Sequence, residues 1–359
     1  MSFLYQLLYD KLHPPTDPTT PFNHRTVLIT GANCGLGFEA ALKFVTLGAP
    51  SVLLACRTLS KGESAKREIE TRTGCNTDVV KVLQLDMSSY ASIREFVTRL
   101  RDVVMVGEGG LDAALLNAGV VQFGYETSGE GWEQTLQVNV LGTTYLGLLL
   151  LPLLNEGNTS TTTSRNKNLA FVSSGNYQFA DLPPQALASP NLLHYCNQKD
   201  KFAGPEAQYA LSKLFLMYAA NEIAATVEHA ESEKDEEIMH EKNEKSVPTE
   251  KKGTLVVNSV NPGATATNLT RNISGFILSI VAYVYLNLLA RTAEQGSRSL
   301  VRACALGRES QGGFWQDDGL VGRNHLVESD EGKKLQKRVW REILTVLKDQ
   351  DGSVGRYAS

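Results

Sequence analysis

The chain has 359 residues, a net charge of −4 and an apolar share of 42%. That length holds one large domain or two small ones, and that apolar share is enough for a sizeable core. The weakly acidic balance excludes a strongly basic, polyanion-binding surface, so no nucleic-acid partner is expected. Five scattered cysteines exclude a disulfide framework, show no metal-ligand spacing, and point to a reducing, cytoplasmic setting without a metal centre.

The first residues, Met1 to Tyr9, are apolar but lack a basic leader and a small-residue cleavage site. They read as a short amphipathic helix, either docked on its own domain or in peripheral contact with a membrane. Pro14, Pro15, Pro18 and Pro21 form a stiff connector into the first strand. That strand, Thr26-Val27-Leu28-Ile29, runs into Thr30-Gly31-Ala32-Asn33-Cys34-Gly35-Leu36-Gly37, and a helical pattern follows from Phe38. Strand, glycine turn and helix are the context a dinucleotide site needs. Gly31 allows the tight turn, Gly35 clears the approach of a pyrophosphate, and Gly37 lets the helix pack close. The helix then aims free N–H groups and its positive end at the phosphates.

Ser51 to Cys56 reads as the second strand, with Arg57 just past its end. An acid there would hydrogen-bond an adenosine 2′-hydroxyl, whereas an arginine suits a 2′-phosphate, so Arg57 favours NADP(H) over NAD(H). A polar-faced helix spans Ser60 to Thr73. A strand from Val79 to Leu85 ends at Asp86, which is placed either to contact an adenine or to cap the next helix with Ser88. Ile93 to Val106 is helical. Leu111 to Leu116 is the fourth strand and runs into Asn117-Ala118-Gly119, small enough to lie flat beneath a ribose.

Trp132 to Leu154 reads as a long apolar helix carrying Asn139, followed by a Ser/Thr/Asn loop to Lys167. Leu169 to Val172 is the fifth strand, ending in Ser173-Ser174-Gly175. Asn176 to Glu206 is irregular, and Tyr209 to Ala225 is a strong helix. Glu228 to Lys252 is a charged run, either a solvated helix extension or a disordered insert. Thr254 to Val260 is the sixth strand and leads into Asn261-Pro262-Gly263. Phe276 to Ala290 is nearly continuous in apolar residues but short for a bilayer span. Ala293 to Leu306 is helical, Gly313-Phe314-Trp315 begins a seventh strand, and Glu328 to Leu347 is an amphipathic helix. The alternation predicts an α/β fold, a single doubly wound parallel sheet of about seven strands with helices on both faces.

Tyr209-Ala210-Leu211-Ser212-Lys213 puts a phenol and an ammonium on one helix face. A cation beside a phenol favours the phenolate and lowers its pKa, which would make Tyr209 usable as an acid/base at neutral pH. Ser174 lies just past a strand's carboxyl end, where open α/β sheets place their ligands, and its hydroxyl could bind a carbonyl oxygen.

In this order, the glycine turn, Asp86, Asn117-Ala118-Gly119, Asn139, Ser174, Tyr209 with Lys213, and Asn261-Pro262-Gly263 with Thr267 resemble the short-chain dehydrogenase/reductase family, from about Arg25 to Leu306. The strand end Ala55-Cys56-Arg57 and the long Ser174–Tyr209 segment look most like its retinol-dehydrogenase-like and fungal-type reductases. The resemblance implies a Rossmann-type fold and a role for each matching residue. Tyr209 would be the proton donor or base. Lys213 would lower the Tyr209 pKa and hold the nicotinamide ribose. Ser174 would orient the substrate oxygen, and Asn139 would bend its helix and hold a water linking Lys213 to solvent. Gly31, Asn33, Gly35, Leu36 and Gly37 would hold the pyrophosphate side, while Pro262, Gly263 and Thr267 would cover the nicotinamide.

On this reading, residues 1–24 are an N-terminal extension and 25–327 the Rossmann-fold domain, with a charged insert at 228–252 and an apolar substrate flap at 270–291. Residues 328–359 form a C-terminal helix and tail. The expected function is NADPH-dependent hydride transfer between the nicotinamide and a lipophilic ketone, aldehyde or secondary alcohol, in secondary or lipid metabolism. The alternative is an NADP(H)-binding regulatory or non-redox biosynthetic protein on the same fold. A homodimer is compatible with family habit.

Overall fold

The computed structural model describes residues 3–106, 110–156, 165–241, 253–266 and 289–357. Its apolar runs become the strands of one sheet: β1 (Thr26–Thr30), β2 (Ser51–Cys56), β3 (Val80–Gln84), β4 (Ala113–Leu116), β5 (Lys167–Val172), β6 (Leu255–Asn261), β7 (Phe314–Gln316) and β8 (Gly319–Leu320). The spatial order is β3-β2-β1-β4-β5-β6-β7-β8. Strands β1 to β7 pair in parallel, and β8 turns back antiparallel to β7, with Trp315 opposite Leu320. The two-residue edge strand β8 is what takes the sheet past the seven expected; so short a run carries no alternation to read. Every residue of β5 and β6 is buried, as a sheet covered on both faces requires.

The helices that cover it are α1 (Phe3–Leu12), α2 (Gly35–Thr46), α3 (Leu59–Thr73), α4 (Tyr90–Val106), α5 (Gln134–Leu136), α6 (Thr143–Glu156), α7 (Pro184–Ala188), α8 (Leu192–Cys196), α9 (Pro205–Glu241), α10 (Ala293–Ala303), α11 (His325–Glu328) and α12 (Asp330–Gln350). On one face Phe44 of α2 and Leu300 and Val301 of α10 pack against Ile29, Leu54 and Leu115. On the other, Phe96 and Leu100 of α4, Leu146 and Leu150 of α6, and Phe215 and Tyr218 of α9 close over Leu28, Ala114 and Phe171. The run Gln134–Asn155 is long and apolar enough to cross a membrane, but it is mostly buried inside the protein and serves as a core helix.

Helix α9 extends the predicted Tyr209–Ala225 helix to 37 residues and takes in the start of the charged run. Residues 242–252 of that run lie outside the described residues, as do 270–288 of the segment expected to form the apolar flap. The amphipathic helix α12 buries Val339, Trp340, Ile343, Leu344 and Leu347. It is clasped to α9 by the buried Glu222, which accepts from Gln336 at 2.6 Å and Lys337 at 2.8 Å.

The N-terminal extension runs from α1 along α10 to β1. Phe22 is fully buried and meets Phe44 edge-on, with ring centroids 4.8 Å apart. Thr16 and Asp17 are tied down by Arg302 and Lys43. Leu7 faces inward from α1, while Tyr5, Leu8, Tyr9 and Leu12 remain exposed.

Candidate active site

The predicted glycine turn sits where β1 meets α2. Gly31 and Gly35 have φ of +66° and +59°, left-handed values that glycine adopts without strain. Gly37 is required by contact: a Cβ there would lie 2.6 Å from both the Asn117 side-chain amide and the Gly31 carbonyl. Cys34 occupies the N-cap of α2 without a side-chain cap. The first N–H groups of the helix therefore keep their hydrogen-bonding capacity for an anion.

Below this turn lies a cleft of about 490 Å³ at the carboxyl ends of β1, β2 and β4, lined by Gly31, Asn33, Gly35, Leu36, Arg57, Asp86, Asn117, Ala118 and Gly119. Nine of the predicted cofactor residues thus meet in one cavity. Thr58 and Lys61 line it as well, in the turn after Arg57 and the first turn of α3. Sequence reasoning passed over both. The available signal was their spacing, since Lys61 falls four residues after Arg57.

Two residues do structural work beside any ligand contact. The Asp86 carboxylate accepts from the Ser88 N–H at 2.9 Å and its hydroxyl at 2.7 Å, which closes the turn ahead of α4 rather than capping the helix itself, and Asp86 also lines the cleft. The Asn117 amide donates to the Thr30 and Gly31 carbonyls at 2.9 and 3.4 Å. That donor is spent on joining the ends of β1 and β4 at the wall of the cleft.

Asn139 lies within a π-helical turn, Gln137–Gly142, between α5 and α6. Such bulges are frequent at functional sites. Its side chain accepts from the Val120 N–H at 2.8 Å and donates to the Val120 carbonyl at 2.9 Å and the Ser212 hydroxyl at 3.0 Å. It therefore clamps the strand-end loop of β4 to α9. Gly119 sits between the groups, and a Cβ there would lie 3.3 Å from the Asn139 oxygen and 3.8 Å from the Lys213 ammonium.

Ser174, at the end of β5, accepts from the Asn176 N–H at 3.2 Å and lies beside the Tyr209 phenol, whose pKa it draws down. Lys213, one turn along α9, donates to the Val172 carbonyl at 2.8 Å, and its nitrogen stands 5.6 Å from the Tyr209 ring centre. The expected lowering of the phenol by this cation is not what governs here. Burial pushes Tyr209 up to about 12, against a downward pull from Ser174, and burial pulls Lys213 down to about 8. The cation is spent on a backbone carbonyl rather than on the phenol oxygen, and desolvation penalises both charged forms.

Pro262 and Gly263 follow β6. Gly263 has a φ of +74°, and its N–H donates to the Asn261 side chain at 3.1 Å. Thr267 lies outside the described residues. Arg291, which sequence reasoning also missed, lies against this loop. Its backbone N–H donates to Ala264 and its carbonyl accepts from Ala266, both at 2.8 Å. A lone arginine before a helix carries no motif that would mark it.

Residues 25–178 match the family model described as short chain dehydrogenase. The chain is 40% identical over 347 residues to the short-chain dehydrogenase/reductase phmF of Phaeosphaeria nodorum, covering 96% of this chain and 93% of that one. It is 38% identical to ffsI of Aspergillus flavipes, with 97% and 93% covered. Among solved structures, a protein from Mycobacterium paratuberculosis superposes with a TM-score of 0.62 at 22% identity over 93% of this chain and 98% of that one. A short-chain dehydrogenase from Shigella flexneri, complexed with NADP, gives 0.53 at 21% over 84% and 99%. A parallel doubly wound sheet with this residue set at its carboxyl edge, together with fungal relatives aligned along nearly their whole length, makes the chain a member of the short-chain dehydrogenase/reductase family.

Proposed function

We propose that the protein is an NADPH-dependent oxidoreductase that interconverts a lipophilic ketone or aldehyde and the corresponding alcohol. The observation that carries this reading is the convergence of Ser174, Tyr209 and Lys213 beyond the Gly119 end of the dinucleotide cleft. NADPH, when bound, supplies the hydride. The chain's own residues supply the rest. Ser174 donates a hydrogen bond to the substrate oxygen and steadies the charge that develops on it. Tyr209 delivers the proton from its phenol, which burial keeps protonated at neutral pH. Lys213, tethered to Val172, reaches toward the ribose and offsets the negative charge left on the phenol. Asn139 holds the strand-end loop and α9 in register so that these groups stay aligned.

The preference for the phosphorylated cofactor rests on Arg57 and Lys61, two cations at the adenosine end of the cleft, with Thr58 between them. That a short-chain dehydrogenase of the same fold from Shigella flexneri is complexed with NADP agrees with it. The lipophilic substrate rests on the apolar segment Phe276 to Ala290. All five cysteines are free, which supports a cytoplasmic setting.

The test is paired cofactor titration of the parent and Arg57→Ala. NADPH affinity is expected to fall about tenfold or more while NADH affinity stays within about twofold, since a charge-assisted contact is worth about 1.5–3 kcal/mol. An unchanged NADPH affinity overturns the cofactor assignment. A panel of lipophilic ketones that consumes no NADPH overturns the reaction and favours the regulatory alternative.

A further inference from the structure

Arg291 is fully buried, and a buried guanidinium needs every donor answered. Its partners come from two distant parts of the chain. Nη1 pairs with the Asp317 carboxylate in the β7–β8 turn. Nε donates to the Asp10 carbonyl at 2.7 Å and Nη2 to the His13 carbonyl at 3.2 Å. Asp10 lies in the last turn of α1, where carbonyls have no partner within the helix and the dipole is negative. Arg291 therefore caps α1.

The same residue carries the loop after β6. Its backbone brackets Thr265 through the bonds to Ala264 and Ala266. Its side chain lies directly beneath Gly263, so close that a Cβ there would fall 2.8 Å from Nη1. No sequence motif joins residues 10–13 to residues 262–266, yet one residue holds both, the first with its side chain and the second with its backbone.

We propose that the N-terminal extension is a working part of the dinucleotide site: α1 fixes Arg291, and Arg291 fixes the Pro262–Ala266 loop that covers the nicotinamide. Arg291 is thus a positioning residue for the cofactor. The inference rests on the reading of Pro262 and Gly263 as the nicotinamide end. A second clasp makes it separable from folding. Arg298 donates to the Pro15 carbonyl at 3.0 Å, and Arg302 to the Thr16 hydroxyl and the Asp318 carboxylate, both at 2.7 Å. These bonds hold residues 15 and 16 to α10 without α1.

The experiment compares the full chain, a chain beginning at Pro14, and full-length Arg291→Lys, each titrated with NADPH and with 2′,5′-ADP. The second probe carries the adenosine half and its phosphate but no nicotinamide. Both variants are expected to keep the parent's circular dichroism spectrum and to hold 2′,5′-ADP within about twofold. The truncated chain is expected to bind NADPH at least tenfold more weakly. Arg291→Lys should fall between, because one ammonium cannot reach three acceptors in a fork. NADPH affinities within twofold of the parent overturn the inference, and so does a parallel loss of both probes or a truncated chain that fails to fold. A full-length chain that binds neither probe overturns the NADP reading itself, and this inference with it.

Discussion

Tyr209 and Lys213 stand one turn apart on α9, and burial moves them in opposite directions, the phenol up to about 12 and the amine down to about 8. Each shift is also a statement about stability. An unfolded lysine titrates near about 10.4, so between the two values the unfolded chain binds the extra proton and stability rises with pH. Stability from Lys213 is thus present above that upper value and lost as pH falls through about 8. Lys213→Met should therefore be more stable than the parent at pH 7 by about 2 kcal/mol, after about 1 kcal/mol is subtracted for the bond lost at Val172. The advantage should vanish near pH 10, as read by urea denaturation at both values. Tyr209 works the other way: its stability is present below the ordinary phenol range and lost as pH rises through about 12. For the reaction, Tyr209→Phe is expected to lower turnover by about 10²- to 10⁴-fold with little change in NADPH affinity. Equal turnover by steady-state assay would remove the phenol from the proton path.

Among the elements, the junction of β1, α2 and β4 is the most tightly specified. Gly37→Ala should destabilise the fold by about 1–3 kcal/mol, because the added methyl meets backbone and the Asn117 amide rather than a flexible side chain. Thermal unfolding reads this, and NADPH affinity should fall with it as the glycine turn is displaced. This junction was legible in the sequence because strand, turn and helix are contiguous; that Gly31 and Gly37 also answer Ala118 and Asn117 at the end of β4 was not. The Tyr209–Lys213 pair was legible for the same reason. The opposition of burial to the lysine's pull was not, since desolvation depends on what closes over α9 from β5 and the loop after β4. Nor was the π-helical turn at Asn139, whose extra residue leaves the apolar pattern of Trp132 to Leu154 unbroken. Arg291 stayed hidden because two of its three side-chain partners are backbone carbonyls, which any sequence would supply.

At the scale of the whole molecule, α12 closes the core that α9 opens. A chain ending at Glu328 would expose Val339, Trp340, Ile343, Leu344 and Leu347, all buried in the intact protein. At about 1.5–3 kcal/mol for each large apolar side chain, that loss is of order 10 kcal/mol and matches the whole stability of a typical domain. Such a chain is expected to be recovered insoluble, whereas Glu222→Gln, which keeps the apolar stripe, should remain soluble with a lowered thermal midpoint. Helix α9 also outruns the sheet it covers. At about 1.5 Å per residue, its exposed Ser232 stands roughly 35 Å down the axis from Tyr209. That distal end offers a natural handle: a dye or a surface tether attached through Ser232→Cys would leave the cleft open, so the protein could be immobilised or followed one molecule at a time while it turns over.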